Sequence, residues 1–248
     1  MNDSSKPNLQ IGIIATRRPE LLKTMLDSFQ NKLFSNFHIT SVHVNIDPAF
    51  GTKKDEKYAI DNILSHFSFA KIRTPDRPSF GAAVKWSWLQ FNPGLALHLE
   101  DDWQLDQKIF PEDVFPKLTN GYSAVSLCGN HAKWYKRKKY LWLHSKRTRF
   151  PWLGYEKIPA LGTQPKFIEG AFANEISKLI DPELDPEKQM HPNFGDKFST
   201  LIKYNKCGFL DKSGNKQYGV LTELGRDWRA QRNIRKVVVN GRSEWRGQ

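Results

Sequence analysis

The chain has 248 residues, 39% of them hydrophobic, and a formal net charge of +12. That length suffices for one domain with a substantial core, and no apolar run is long enough to span a bilayer. Cys128 and Cys207 make neither a metal-ligand spacing nor a disulfide framework, and the opening MNDSSKPN has no apolar signal core. A cytoplasmic, reducing location is the expectation. The charge is unevenly spread: residues 1–132 hold 14 basic and 14 acidic residues, whereas residues 133–248 hold 24 and 12. A neutral part beside a basic part predicts two kinds of work, with a merely solvated basic surface as the plain alternative.

Along the chain, LQIGIIAT (9–16) predicts a compact strand. RRPELLKTMLDSFQNKL follows as a helix, with Pro19 in its first turn and Leu22, Met25, Leu26 and Phe29 on one face. ITSVHVNID (39–47) is a second strand ending in Asp47. A polar loop and a helix around YAIDNILSHF come next, then a short strand in AKIRTP (70–75) and a helix over 79–91. LALHL (95–99) is the fourth strand. Strands alternating with helices predict an α/β fold around a largely parallel sheet, whose ligands sit beyond the carboxyl ends of the strands. Thr16, Asp47 and the triplet Glu100-Asp101-Asp102 all fall there. Farther on, YSAVSLCG (122–129) reads as a strand, and residues 130–168 show no regular alternation. FIEGAFANEISKLI (167–180) reads as strand, Gly turn and helix, and KFSTLIKYNKCG as a helix. LGRDWRAQRNIRK reads as a basic helix.

The mostly apolar run LALHL leading into three carboxylates poses a physical problem, because clustered acids at the end of a buried strand need a cation. If the strand continued, its period of two would put Glu100 and Asp102 on one face and Asp101 on the other. Two converging carboxylates suit Mg²⁺ or Mn²⁺, completed by water and phosphate oxygens. The alternative is a solvated turn in which the acids cap neighbouring amides.

The first strand with TRRPELL, the second strand ending in Asp47, and the apolar strand opening into EDD together resemble the GT-A glycosyltransferases, nearest to the family 2-like nucleotide-sugar enzymes. The resemblance covers roughly residues 9–210. It implies a Rossmann-like, mostly parallel sheet flanked by helices, with basic, aromatic-rich insertions on the acceptor side. Residues 1–8 would be a flexible N-terminus, 9–236 one catalytic domain with a donor half to residue 105, and 237–248 a basic tail. By the resemblance, Asp47 contacts the nucleobase of a nucleotide-sugar donor, a UDP-sugar by expectation. The D-x-D position falls on Glu100, Asp101 and Asp102 and holds Mn²⁺ or Mg²⁺ on the donor diphosphate. The first acid is Glu rather than Asp, so metal, ribose or both stay open as its role. Arg17, Arg18, Arg73, Arg77 and Lys85 are available as further phosphate or base contacts, the alternative for each being an ordinary surface role, and Gly81 would allow close backbone approach to the donor. Gly170 matches a segment lining the acceptor side. Asp196 falls where inverting members carry the catalytic base, the alternative being a helix N-cap. His191 would be a third metal ligand or plain polar surface.

The stretch 131–157 interleaves nine Lys/Arg with seven aromatics. Lys136, Arg137 and Arg147 could neutralise phosphates, while Trp134, Tyr135, Trp142 and Trp152 could stack on an extruded base. Arg226, Arg229, Arg232 and Lys236, spaced 3, 3 and 4, would share one side of a helix. Some viral GT-A-like enzymes glycosylate hydroxymethylated pyrimidines in DNA, and the chain is similar in size and charge layout. That resemblance implies double-stranded DNA bearing a modified base as acceptor, in a host cytoplasm. Two other readings stand beside it: a glycosyltransferase building surface polysaccharide or lipid-linked sugar, and a nucleic-acid-binding protein without catalysis.

Overall fold

A strand that is apolar at both odd and even positions has no face to give to water, so it must lie inside a sheet covered on both sides. In the computed structural model, β1 (Asn8–Thr16) has that place, buried from Leu9 through Ala15. The structure describes residues 6–128, 133–135, 140–147, 155–159, 161–190, 196–210, 219–239 and 242–247. After β1 come α1 (Pro19–Lys32), β2 (His38–Asp47), α2 (Lys53–His66), β3 (Lys71–Arg73), α3 (Phe80–Leu89) and β4 (Leu95–Glu100). The middle of the chain forms β5 (Trp103–Leu105), α4 (Pro111–Thr119), β6 (Tyr122–Ser126), β7 (Lys133–Tyr135), β8 (Tyr140–Arg147), β9 (Tyr155–Pro159) and β10 (Lys166–Glu169). The remainder holds α5 (Gly170–Leu179), α6 (Pro186–Gln189), α7 (Asp196–Tyr204), β11 (Lys206–Phe209), β12 (Leu221–Glu223), α8 (Gly225–Ala230), β13 (Ile234–Val239) and β14 (Arg242–Gly247).

Seven strands form the central sheet in the order β11-β6-β10-β4-β1-β2-β3. All run parallel except β10, which lies antiparallel to both β4 and β6. Leu9, Ile11, Ile13 and Ala15 of β1 pack under α1 and α2, with Leu22, Met25, Leu26 and Phe29 on the buried face of α1. Ile14 joins the opposite core, built from Ala83 and Trp88 of α3, Phe172 and Ile176 of α5, and Ile202 of α7. The α/β expectation and its largely parallel sheet are borne out.

Three segments differ from their sequence reading. Within residues 130–168, β7, β8 and β9 form a separate antiparallel sheet; these strands mix basic and aromatic residues, so no alternation marks them. At Gly170, β10 passes straight into α5 without an intervening turn. The basic helix is also shorter than its arginine spacing suggests. It ends at Ala230, Asn233 takes a left-handed conformation (φ 54°), and the β-branched run IRKVVV enters a hairpin with β14. Arg226 and Arg229 therefore sit on α8, Arg232 in the turn after it, and Lys236 on β13. The expected boundary between residues 236 and 237 falls inside that hairpin.

Candidate functional site

The strand ends carry the acids to one place. β4 stops at Glu100, and Asp101 and Asp102 form a turn. Alternation stops with the strand, so the three carboxylates all line one cavity of about 970 Å³ instead of dividing between two faces. Thr16 at the end of β1 and Asp47 at the end of β2 line it too. The short ribbon β5–β12, pairing Trp103 with Glu223, then brings the C-terminal part of the chain across. Glu223, Arg226, Arg229, Lys236 and Trp245 thereby complete the wall.

The first cation answering the acids is Arg18, at the N-terminal cap position of α1 and 5% exposed. Its Nη2 donates to Asp101 Oδ1 at 2.5 Å and to Asp102 Oδ2 at 3.3 Å, and its Nε donates to Thr16 Oγ1 at 2.7 Å. Thr16 N and Oγ1 donate to Asp101 Oδ2 at 2.9 and 3.0 Å. The guanidinium faces the rings of Phe50 and Trp228, 5.2 and 5.3 Å from their centroids, and those two rings pack edge to face on each other at 5.6 Å. Burial alone would make Arg18 easier to deprotonate, but Asp101 and Asp102 outweigh it and hold the charge. Burial pushes the Asp101 carboxyl up from its ordinary range, and Arg18 pulls it back. Arg229 is the second cation. Its Nη1 reaches Asp102 Oδ2 at 3.4 Å, and its Nη2 donates to Glu223 Oε1 at 3.1 Å. Arg226 Nη2 donates to Glu223 Oε2 at 3.0 Å.

Glu100 has weaker support. Trp103 Nε1 donates to its Oε2 at 3.3 Å, and burial, followed by the charges of Asp102 and Glu187, pushes its carboxyl up to about 8. Glu187 of α6 lines the same cavity, with Oε1 accepting from Thr163 Oγ1 and Gln164 Nε2 at 2.9 and 2.8 Å. The pH consequence has a definite sign. An unfolded glutamate ionises near pH ~4.3, so between there and about 8 the folded protein binds more protons at Glu100 than the unfolded chain does. Stability should therefore fall with rising pH across that window, and Glu100→Gln should flatten the fall. Denaturant titrations at several pH values check this; parallel slopes for the two proteins would refute it.

Asp47 accepts from Asn45 Nδ2 at 2.7 Å and from Ser79 N at 3.0 Å, while burial pushes its pKa up. Seven other expected donor-side or acceptor-side positions lie off the cavity: Arg17, Arg73, Arg77, Gly81, Lys85, Gly170 and Arg232. Arg17 is spent on Glu56, with Nε and Nη2 at 2.9 and 2.7 Å from Oε2. Lys85 donates to the carbonyl of Ile180 at 2.7 Å, and Arg77 is exposed outside the lining. A side chain at Gly81 would meet the carbonyls of Pro182 and Leu184, and one at Gly170 that of Asn92. At both glycines the chain itself approaches too closely for a side chain. Arg232 stacks on Trp228, 4.1 Å from the ring centroid. Asp196 is the first residue of α7 and opens that helix as expected, while Trp134, Trp142 and Arg147 lie in β7 and β8. Their side chains, and His191, Lys136, Arg137 and Trp152 altogether, lie outside the described residues. Sequence reading missed Phe50, Glu187, Glu223 and Trp245 as cavity residues, and nothing local distinguishes them.

The donor set fits a divalent cation. Among the described residues no group of three or more metal-type side chains converges, but Mg²⁺ or Mn²⁺ on a diphosphate uses only one or two carboxylates, the rest being water and phosphate. Asp102 offers Oδ1, which takes no hydrogen bond from a described residue. Glu100 offers a carboxylate with one long hydrogen bond.

The sheet order, the single antiparallel strand and the acids at the strand ends define a GT-A fold. TarS 1–349 of S. aureus matches with a TM-score of 0.53 and 13% identity, over 83% of this chain and 58% of that one. Mannosyltransferase PcManGT from Pyrobaculum calidifontis, in complex with GDP-Man and Mn²⁺, matches with a TM-score of 0.54 and 9% identity, over 93% and 61%. GalNAc-T7 with UDP, GalNAc and Mn²⁺ matches with a TM-score of 0.52 and 14% identity, over 84% and 42%. The chain thus spans less than two thirds of each of these structures. At such identities the likeness is one of fold. No protein-family model and no curated protein matches the sequence. Among the described residues no helix is long and apolar enough to cross a membrane.

Proposed function

We propose that the chain is a Mn²⁺- or Mg²⁺-dependent glycosyltransferase that takes a nucleotide sugar, a UDP-sugar by preference, and passes the sugar to an acceptor hydroxyl. The observation that carries this reading is the convergence of Asp47, Glu100 and Asp102 with Arg18, Arg226 and Arg229 in one cavity at the strand ends of a GT-A sheet. Carboxylates and guanidinium groups side by side suit a metal-bridged diphosphate leaving group better than either charge alone would. When bound, the cation supplies a Lewis acid for the charge that develops on the diphosphate. Asp102 and Glu100 hold it, Asp47 orients the nucleobase, and Asp196 at the opening of α7 acts as general base. The UDP, GDP-mannose and Mn²⁺ held by PcManGT and GalNAc-T7 support that donor chemistry.

For the acceptor we retain double-stranded DNA bearing a hydroxymethylated pyrimidine. The support now rests on the nine basic and seven aromatic residues of 131–157, because Arg229 turns to the acids and Arg232 to Trp228. One set of assays tests both levels. Transfer should occur from a panel of nucleotide sugars, stop with chelator, and fall about 10²–10⁴-fold in Asp196→Asn with donor binding retained. The acceptor panel holds plain duplex, hydroxymethylated duplex, oligosaccharide and lipid-linked sugar. Transfer to the last two alone would replace the DNA reading with glycan or lipid synthesis. DNA binding without donor binding would leave a non-catalytic nucleic-acid protein.

A further inference from the structure

Asp102 Oδ2 is shared by two guanidinium groups that differ in how firmly they are held. Arg18 is 5% exposed, locked to Asp101 at 2.5 Å and packed against the rings of Phe50 and Trp228. Arg229 is looser: its side chain is 20% exposed, and its contact with Asp102 is long at 3.4 Å. It lines the open cavity beside Trp245, whose ring centroid is 5.2 Å from its Cζ. A divalent cation arriving at Asp102 would meet a like charge already seated on the same carboxylate. A cation at the free Oδ1 would repel the guanidinium at Oδ2 across one carboxylate, and the guanidinium can leave because Glu223 and the Trp245 ring still hold it at the cavity wall.

Building on the donor-site reading above, we propose that Arg229 is an exchangeable counter-ion: it neutralises Asp102 in the donor-free protein and turns to the donor's diphosphate when a divalent cation takes its place. Because Arg18 stays on the acids throughout, the exchange keeps Asp101 and Asp102 matched by two cations at every stage. It also makes the two ligands cooperative, since the metal releases the residue that the diphosphate uses, and that coupling must be reciprocal. A residue that merely shaped the wall would affect both ligands in the same direction. Arg229 should affect them in opposite directions.

The experiment is Mn²⁺ binding followed by electron paramagnetic resonance, and UDP binding by calorimetry at saturating Mn²⁺, on the full chain. Arg229→Ala and the stem-preserving Arg229→Gln are compared with the unaltered protein, each checked for folding by thermal melt. Without nucleotide, both variants should bind Mn²⁺ about two- to fivefold more tightly, the scale of a partly exposed ion pair lost as competitor. With Mn²⁺ present they should bind UDP about tenfold or more weakly, the scale of a charge-assisted hydrogen bond to phosphate. Mn²⁺ affinity that is unchanged or weakened in the variants would overturn the exchange while leaving the donor reading in place. An unaltered protein that binds neither Mn²⁺ nor UDP would remove the donor reading, and the exchange with it.

Discussion

Asp102→Ala should abolish metal-dependent binding of a nucleotide sugar while the protein remains folded. The two effects separate because of what the carboxylate holds. Its contacts to Arg18 and Arg229 are long, 3.3 and 3.4 Å on one oxygen, and each guanidinium keeps a better partner in Asp101 or Glu223. Their loss should cost about 1 kcal/mol, the scale of an ordinary hydrogen bond, and shift Tm by a few degrees at most. The metal loses one of the one or two carboxylates that would hold it. Groups that only hydrogen-bond a metal ligand already contribute about 10–100-fold, so removing a ligand itself should cost about 100-fold or more. Calorimetry with UDP and Mn²⁺, run beside a thermal melt, reads both quantities. Equal UDP affinity in the two proteins, with and without chelator, would remove Asp102 from the metal site.

Short-range patterns made the donor half readable. The strands and helices up to residue 100 follow local periodicity and caps, as with Pro19 opening α1 and Ser79 capping α3 through its Oγ. They deliver Thr16, Arg18, Asp47 and the acidic triplet to the carboxyl edge, and those residues line the cavity. The other half of the wall depends on pairing between distant segments. β5 meets β12 more than 100 residues later in the chain, and nothing local in LTE announces that it will lie against WQL. That ribbon turns Arg229 from an expected DNA contact into a partner of Asp102, because α8 has to start where β12 ends. Spacing misled for a related reason: arginines at 226, 229 and 232 fit a helical period, but a β-branched run and a left-handed Asn233 end the helix first. Gly81, Gly170 and Lys85 lie off the cavity, and a glycine needed for chain packing or a lysine bonded to a carbonyl looks the same in sequence as a ligand contact.

Asp101→Ala should behave in the opposite way to Asp102→Ala, with its chief cost in stability. Asp101 accepts from the Thr16 amide, the Thr16 hydroxyl and the Arg18 guanidinium, and it is 2% exposed. Truncation would leave Arg18 almost buried, with only the 3.3 Å contact to Asp102 as a carboxylate partner. Arg18 Nη1 already makes no hydrogen bond to a described residue. Breaking a buried pair from one side costs about 3–5 kcal/mol, because the remaining charge is uncompensated. In a protein of this length that corresponds to a fall in Tm of roughly 10 °C. The double variant Asp101→Ala with Arg18→Met provides the discriminating control. Methionine would pack against the Phe50 and Trp228 rings without a charge, so the double variant should be more stable than the Asp101→Ala single variant. Thermal melts of the three proteins measure the effect. A single variant within about 2 °C of the unaltered protein, or a double variant less stable than the single, would mean that Arg18 and Asp101 do not act as a buried pair.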